Sequence, residues 1–298
     1  MEAMLMIQSL DSADKRGYLN EDYRLFHPHG RETDLFPYHY HEFHKLILFL
    51  TGDVRYLIEG RNYLLKEGDI LLIPAYAIHQ PMISREETYS RYILWIRPEC
   101  LERWDLTSGF SLCGEQNAYL LKRNRYDRSE LMGLLQRLEN TEKEKEYGWE
   151  ALKEALFIEI ITQISRAVLQ SGPSLREHEK LSDPRIDAIL QYMNQNLTED
   201  LSVEALSEQF YLSKSWLMHR FKEIANCTIH QYVLQKRLIL STQKLMEGSS
   251  AEKAGAESGF TDYSTFLRAF RRIYGVTPRE YVRYHTQTDL KTTPEYNE

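Results

Sequence analysis

The sequence predicts a multidomain α+β protein: an N-terminal antiparallel β-barrel with dimerisation helices after it, then a C-terminal all-α domain with two helix-turn-helix motifs. Three observations carry this. Between residues 24 and 97, short runs rich in Ile, Leu, Tyr and Phe alternate with turn residues, at the spacing of strands joined by hairpins. From Asp127 the apolar period becomes helical, with Leu131, Leu134, Leu135 and Leu138 in series. Near the C-terminus one stretch occurs twice, at 203–222 and 251–271, with an offset of 48 residues before its turn (Leu212 to Phe260) and 49 after it (Phe221 to Phe270).

Length and composition bound what the parts can be. A chain of 298 residues suits two or three domains rather than one core. No run of 18 apolar residues is present, and the first residues lack a basic segment followed by an apolar core and cleavage site, so a cytoplasmic location with no membrane partner is expected. Cys100, Cys113 and Cys227 are odd in number and widely spaced, which argues for reduced cysteines rather than a disulfide framework or zinc site. The net charge of −7 is unevenly shared: residues 183–285 hold 13 Lys and Arg against 12 Asp and Glu, leaving 24 against 32 elsewhere. Within that near-neutral region Arg268, Arg271, Arg272, Arg279 and Arg283 cluster late, as a phosphate-facing surface requires.

In chain order, a tail at 1–18 precedes a barrel at 19–110. HKLILFL is followed by Thr51-Gly52-Asp53, VRYLIE by Gly60-Arg61-Asn62, YLLKE by Gly68-Asp69, and ILLIP by a loop reaching His79. His39, His41, Lys45 and His79 share strand parity or motif position and are expected to point into the barrel mouth. They form the candidate effector-binding set, with groups suited to a polyol, sugar or carboxylate; the alternative is that they are satisfied structural side chains near a rim. His44 has the opposite parity and is expected to face outward. Tyr89, Tyr92 and Trp95 read as sheet packing.

The segment resembles a cupin on His39-x-His41, Lys45, Gly52, Gly68, Pro74 and His79. In that family two early histidines, a glutamate and the late histidine hold a metal. Lys45 stands where the glutamate belongs, and an ammonium repels a divalent ion. No metal, no cofactor and no oxygenase chemistry are therefore expected.

A helical region at 111–170 follows. Its second helix, from about 149 to 169, is marked by Leu152, Ala155, Leu156, Glu159, Ile160, Ile164 and Val168. These helices either cap the barrel or meet the same stripes on a second copy; the charge run TEKEKE reads as a solvated face. A linker at 171–182 opens with Ser171-Gly172-Pro173-Ser174.

The C-terminal domain at 183–286 begins at Ser182-Asp183-Pro184, a capping side chain with proline in the first turn. Ser202 and Ser213 cap the two helices of the first copy. A connecting helix over 229–246, closed by Gly248, should pack Tyr232, Leu238, Ser241 and Leu245 on both copies. It would fix the separation of two reading helices for successive major grooves, about 34 Å apart. If Leu217 and Phe221 are buried, the opposite face carries Lys214, Ser215, Met218, His219 and Lys222; the equivalent face of the second copy carries Tyr263, Ser264, Leu267, Arg268 and Arg271. A tail at 287–298 ends the chain.

This region resembles the DNA-binding domain of the AraC/XylS regulators, on Arg237-Leu238, Gly259-Phe260, Phe266, Arg268, Phe270 and Gly275-x-Thr277-Pro278. The resemblance implies that the two helix faces contact DNA, Arg268 being placed for guanine, Met218 and Leu267 for thymine methyls, and Lys222, Arg271 and Arg272 for phosphates. It implies as partners double-stranded DNA, a small-molecule effector, a second copy of the chain and RNA polymerase, and it implies a regulator rather than an enzyme. Two other readings remain: a cupin enzyme with an appended DNA-binding domain, and a constitutive DNA-binding dimer. Three features differ from the family pattern: small residues Ala251, Ala254 and Gly255 in the second copy, Tyr211 at a turn site where glycine is common, and His219 where arginine is usual. They suggest a lightly packed, more mobile second copy and unusual base preferences in the first.

Overall fold

The computed structural model describes residues 19, 21–30, 39–52, 54–83, 88–172, 175 and 183–290. The expected N-terminal tail, most of the linker and the C-terminal tail beyond residue 290 lie outside the described residues. The chain divides into two compact units, residues 21–182 and the residues from Asp183 onward.

The first unit contains strands β1 (Tyr23–Phe26), β2 (His29–Gly30), β3 (His44–Thr51), β4 (Val54–Ile58), β5 (Arg61–Leu64), β6 (Ile70–Ile73), β7 (His79–Ile83), β8 (Tyr89–Ile96) and β9 (Leu120–Leu121). They form two antiparallel sheets, one ordered β1-β8-β3-β6-β9 with β2 also on β8, the other β5-β4-β7. The expected antiparallel β-rich domain is present, but closure into a barrel is not shown: among the described residues no strand of one sheet pairs with a strand of the other. The chain leaves the larger sheet through Gly52 at φ 114°, a conformation open to glycine, and β4 then pairs with β5 and β7 instead.

Register assigns the faces. Lys45 pairs with Trp95 and with Ile73, and Phe49 with Arg91, and directly paired residues project to the same side. One face of the large sheet therefore carries Lys45, Ile47, Phe49, Arg91, Ile93 and Trp95. The other carries Leu46, Leu48, Tyr92, Leu94 and Ile96, and helices cover it: α1 (Pro98–Arg103), α2 (Ser108–Gln116), α3 (Arg128–Glu144) and α4 (Trp149–Ser171). The rings of Tyr23 and Phe157 stack at 3.8 Å, and the Tyr92 hydroxyl donates to Glu139 at 3.1 Å. Where α2 crosses α4, a Cβ on Gly109 would stand 2.8 Å from Ser165 Oγ, so only glycine permits that approach. Leu131, Leu134, Leu135 and Leu138 of α3 and Leu156, Ile160, Ile164 and Val168 of α4 are buried in one core with the strands. The stripes thus serve this chain's own core, while Leu152 on α4 stays exposed.

The second unit is all helical: α5 (Pro184–Gln195), α6 (Val203–Gln209), α7 (Lys214–Ala225), α8 (Ile229–Met246), α9 (Ala251–Glu257), α10 (Tyr263–Tyr274) and α11 (Pro278–Leu290). Side chains set the starts: Asp183, Ser202, Ser213, Thr228, Ser250 and Asp262 each accept from a backbone N–H of the helix they precede. Two cores result. One joins α5, α6 and α7 to Tyr232 and Val233 of α8; the other joins α9, α10 and Tyr281 to Leu238 and Leu245 of α8. The connecting helix is thus shared, as its sequence predicts. Gly275 closes α10 at φ 73°, and Thr277 with Glu280 forms a reciprocal cap around Pro278, which explains the Gly-x-Thr-Pro signature.

The light packing expected of the second copy is not found. A Cβ on Gly255 would stand 2.9 Å from the Cγ of the fully buried Phe266. The small residues of α9 are there because the helix lies directly on that ring.

Candidate functional site

Two groups of side chains stand out, one in each unit. In the first, β3 supplies Lys45, β7 supplies His79, and the segment before β3 supplies His39 and His41, which a backbone pairing of His39 with His79 brings alongside β7. Lys45 Nζ lies 2.9 Å from His41 Nε2 and 3.2 Å from His79 Nε2. His79 Nδ1 is 2.9 Å from the Ala77 carbonyl oxygen. A carbonyl only accepts, so Nδ1 carries the proton and Nε2 presents its lone pair to Lys45. All four expected residues are therefore brought together. Lys45 and His79 are buried, whereas His39 and His41 are half-buried and lead toward the surface.

Burial governs the electrostatics. It lowers Lys45 to about 7, assisted by the Arg91 guanidinium, and it holds His41 and His79 well below the usual imidazole range, assisted by Lys45. Both imidazoles are thus neutral acceptors near neutral pH. Arg91, buried on the face that carries Lys45 and set 3.8 Å over the Tyr89 ring, did not emerge from the motif spacing; strand parity with Trp95 is the signal that points to it.

Nitrogens of His39, His41 and His79 lie within 4.8 Å of one another, close enough for three imidazoles to share an ion. Lys45 does not fit that use, because its N–H groups already engage the lone pairs of His41 and His79 that an ion would need.

His44 corrects an expectation. Its parity is opposite to Lys45, as predicted, yet it does not face solvent: Nδ1 accepts from the Ala75 N–H at 3.0 Å and the ring lies 4.5 Å from Phe110 of α2. Burial lowers it to about 4. Helix α2, which hydrophobic period alone did not reveal, covers that face. Tyr89 and Tyr92 are buried in packing, as expected.

In the second unit the two expected faces are presented on helices of equal length. Lys214, Ser215, Met218, His219 and Lys222 are all exposed on α7, and Tyr263, Ser264, Arg268 and Arg271 on α10, with Leu267 half-buried. Met218 is 50 % exposed and Tyr263 43 %, an arrangement that burial energetics alone disfavours. Arg268 Nη2 donates to Thr265 Oγ1 at 3.2 Å, which holds the guanidinium along the helix.

Braces behind these faces were not legible as such. Arg220 of α7 donates to Asp183 at 3.1 Å, and Arg185 lies 4.0 Å over the Trp216 ring, so the start of α5 grips α7. Arg237 of α8 donates from Nε to the Leu197 carbonyl oxygen at 2.7 Å and from Nη2 to that of Glu199 at 2.6 Å. The guanidinium signature of the connecting helix is a tie between the two cores.

Comparison with known proteins gives two family matches, an AraC-like ligand binding domain over residues 25–161 and a helix-turn-helix domain over residues 206–284. The chain is 23 % identical over 254 residues to the HTH-type transcriptional activator RhaS of Salmonella schwarzengrund, covering 82 % of this chain and 87 % of that protein. It is 28 % identical over 250 residues to the probable transcriptional regulator LumQ of Photobacterium leiognathi, covering 82 % and 91 %. Among solved structures, ToxT of Vibrio cholerae matches at 14 % identity and a TM-score of 0.34, over 88 % of this chain and 98 % of that one.

Proposed function

Because the chain belongs to the AraC family of transcription regulators, a DNA-binding regulator with a ligand-binding domain, we propose that it is a cytoplasmic one-component switch acting as a homodimer. A sugar-like or carboxylate effector enters the N-terminal unit at His39, His41, Lys45 and His79. Its binding changes how the two reading helices meet a promoter, where the protein recruits RNA polymerase as an activator. Such a switch needs an effector that contacts the two states differently.

The observation that carries the reading is the pair of exposed faces on α7 and α10, tied through α8 by Arg237. Arg268 makes the guanine contact and Met218 and Leu267 touch thymine methyls; Lys222, Arg271 and Arg272 take phosphates. Lys214 and His219 complete the first face, with Ser215, and Tyr263 and Ser264 the second. The exposed Leu152 and Ala155 on α4 are the surface offered to a second copy. No helix among the described residues is long and apolar enough to cross a membrane.

The test is a gel shift on the protein's own upstream region. Arg268→Ala should lose about 1–3 kcal/mol of discrimination at one base pair, while Lys222→Ala should weaken binding uniformly and reduce its salt dependence. Unchanged affinity and specificity in Arg268→Ala would remove α10 from the interface.

A further inference from the structure

The chemistry of the N-terminal cluster narrows the effector. Lys45 makes its two short contacts with neutral imidazoles, and its ammonium also lies 5.8 Å from the Trp95 ring centroid. Among the described residues no carboxylate is paired with it. The charged group that acts on it is a second buried cation, Arg91, two pairs along the same β3–β8 face. Around Lys45, β7 contributes His79 and the segment before β3 contributes His39 and His41. The aromatic wall beside the cluster is Trp95 with Phe43, whose ring centroids lie 5.9 and 4.6 Å from that of His41 and 4.7 Å from each other.

Imidazole lone pairs orient an ammonium but do not neutralise it. A buried cation without a counter-charge is costly, and that cost falls when an anion arrives with its own hydrogen-bond acceptors. A neutral polyol would hydrogen-bond to the histidines and leave the Lys45 charge uncompensated. Phosphate recognition usually draws on backbone N–H groups at a helix start or on several cations at one point; here one ammonium stands beside neutral rings in an aromatic setting.

We infer that the effector is an organic carboxylate with an apolar body, its carboxylate seated on the Lys45 ammonium beside His41 and His79 and its body against the aromatic wall. This rests on the reading that the cluster receives the effector, and it selects between the two effector classes left open there. The half-buried His39 and His41 mark the side from which the ligand enters.

The experiment uses the full chain and three acids, acetate, benzoate and octanoate, each against its amide, with glucose as a neutral polyol. Melting temperature is followed from micromolar to millimolar ligand, for the wild type and for Lys45→Met, which keeps the side-chain length and removes the charge. At least one acid should raise the wild-type melting temperature at a concentration tenfold or more below its amide, and Lys45→Met should lose that difference while melting at or above the unliganded wild type. His79→Gln, which keeps a polar side chain, should weaken the acid response without abolishing it. The proposal is overturned if no acid acts on the wild type, if amides match acids, or if Lys45→Met responds unchanged. Stabilisation by glucose with no response to acids would leave the effector reading standing and dispose of the carboxylate alone. Loss of the effector reading itself would show as a wild-type acid response that His79→Gln and Lys45→Met both retain in full.

Discussion

Gly259, in the turn between α9 and α10, lies against Leu197, in the connection between α5 and α6, so closely that a Cβ on the glycine would overlap the Leu197 carbonyl oxygen. The same carbonyl accepts from Arg237 Nε, which would itself stand 2.8 Å from that Cβ. Gly259 also sits at φ 89°, where side chains are strained. Gly259→Ala should therefore destabilise the second unit by about 2–4 kcal/mol, combining backbone strain with an overlap against main chain that cannot move aside. Denaturant unfolding checks this. A variant as stable as the wild type would mean the two cores are not held at this point.

Tyr211 occupies the matching turn of the first copy at φ 53° and is 95 % exposed. An aromatic residue in that conformation costs about 1–2 kcal/mol and gains no packing in return. Tyr211→Gly should raise stability by about 1 kcal/mol, with the entropy of the more flexible unfolded chain taking back part of the relief. A lower midpoint in denaturant would contradict the assignment of strain.

For Gly255 two effects oppose each other. Alanine gains about 1 kcal/mol of helix propensity, but its Cβ would meet the Phe266 ring at 2.9 Å and the Phe266 Cβ at 3.4 Å, and overpacking costs about 1–3 kcal/mol. The second should prevail, so Gly255→Ala should melt lower than the wild type. Close packing also predicts hydrogen exchange in 251–258 no faster than in 203–210.

Asp183 predicts a pH dependence. Hydrogen bonds from Arg185 and Arg220 lower its carboxyl from the usual 3.8 to about 2. A depressed carboxyl stabilises the fold above its unfolded value and loses that contribution as pH falls through the folded one. Asp183→Asn should therefore be less stable at pH 7, by roughly 1 kcal/mol, and should show a shallower decline between pH 4 and pH 2. Thermal melts of both proteins across that range measure it; curves that stay parallel would remove Asp183 from the brace.

How much of this was legible can be argued from particular residues. The second unit reads well because its signals are local: Ser202 and Ser213 cap their own helices, and Leu217, Phe221, Phe266 and Phe270 mark buried faces at helical spacing, all four of them inside cores. The exposed faces follow by subtraction. In the first unit the four-residue cluster was legible through motif spacing, whereas its second cation, Arg91, required the register of β3 on β8. His44 shows the limit of parity, which says which side of a sheet a residue takes and not whether a helix covers that side.

The sequence by itself determined the order of elements, the duplicated helical units, the His39, His41, Lys45 and His79 cluster and the resemblance to AraC-type regulators, because capping, periodicity and motif spacing act within a few residues. Only the tertiary structure decided that the strands split into two sheets, that Gly255 packs on Phe266 rather than loosening its helix, and that Arg237 ties the connecting helix to the carbonyls of Leu197 and Glu199. Those outcomes depend on distances between segments far apart in the chain. Register and close packing fix such distances, and neither leaves a local trace in the sequence.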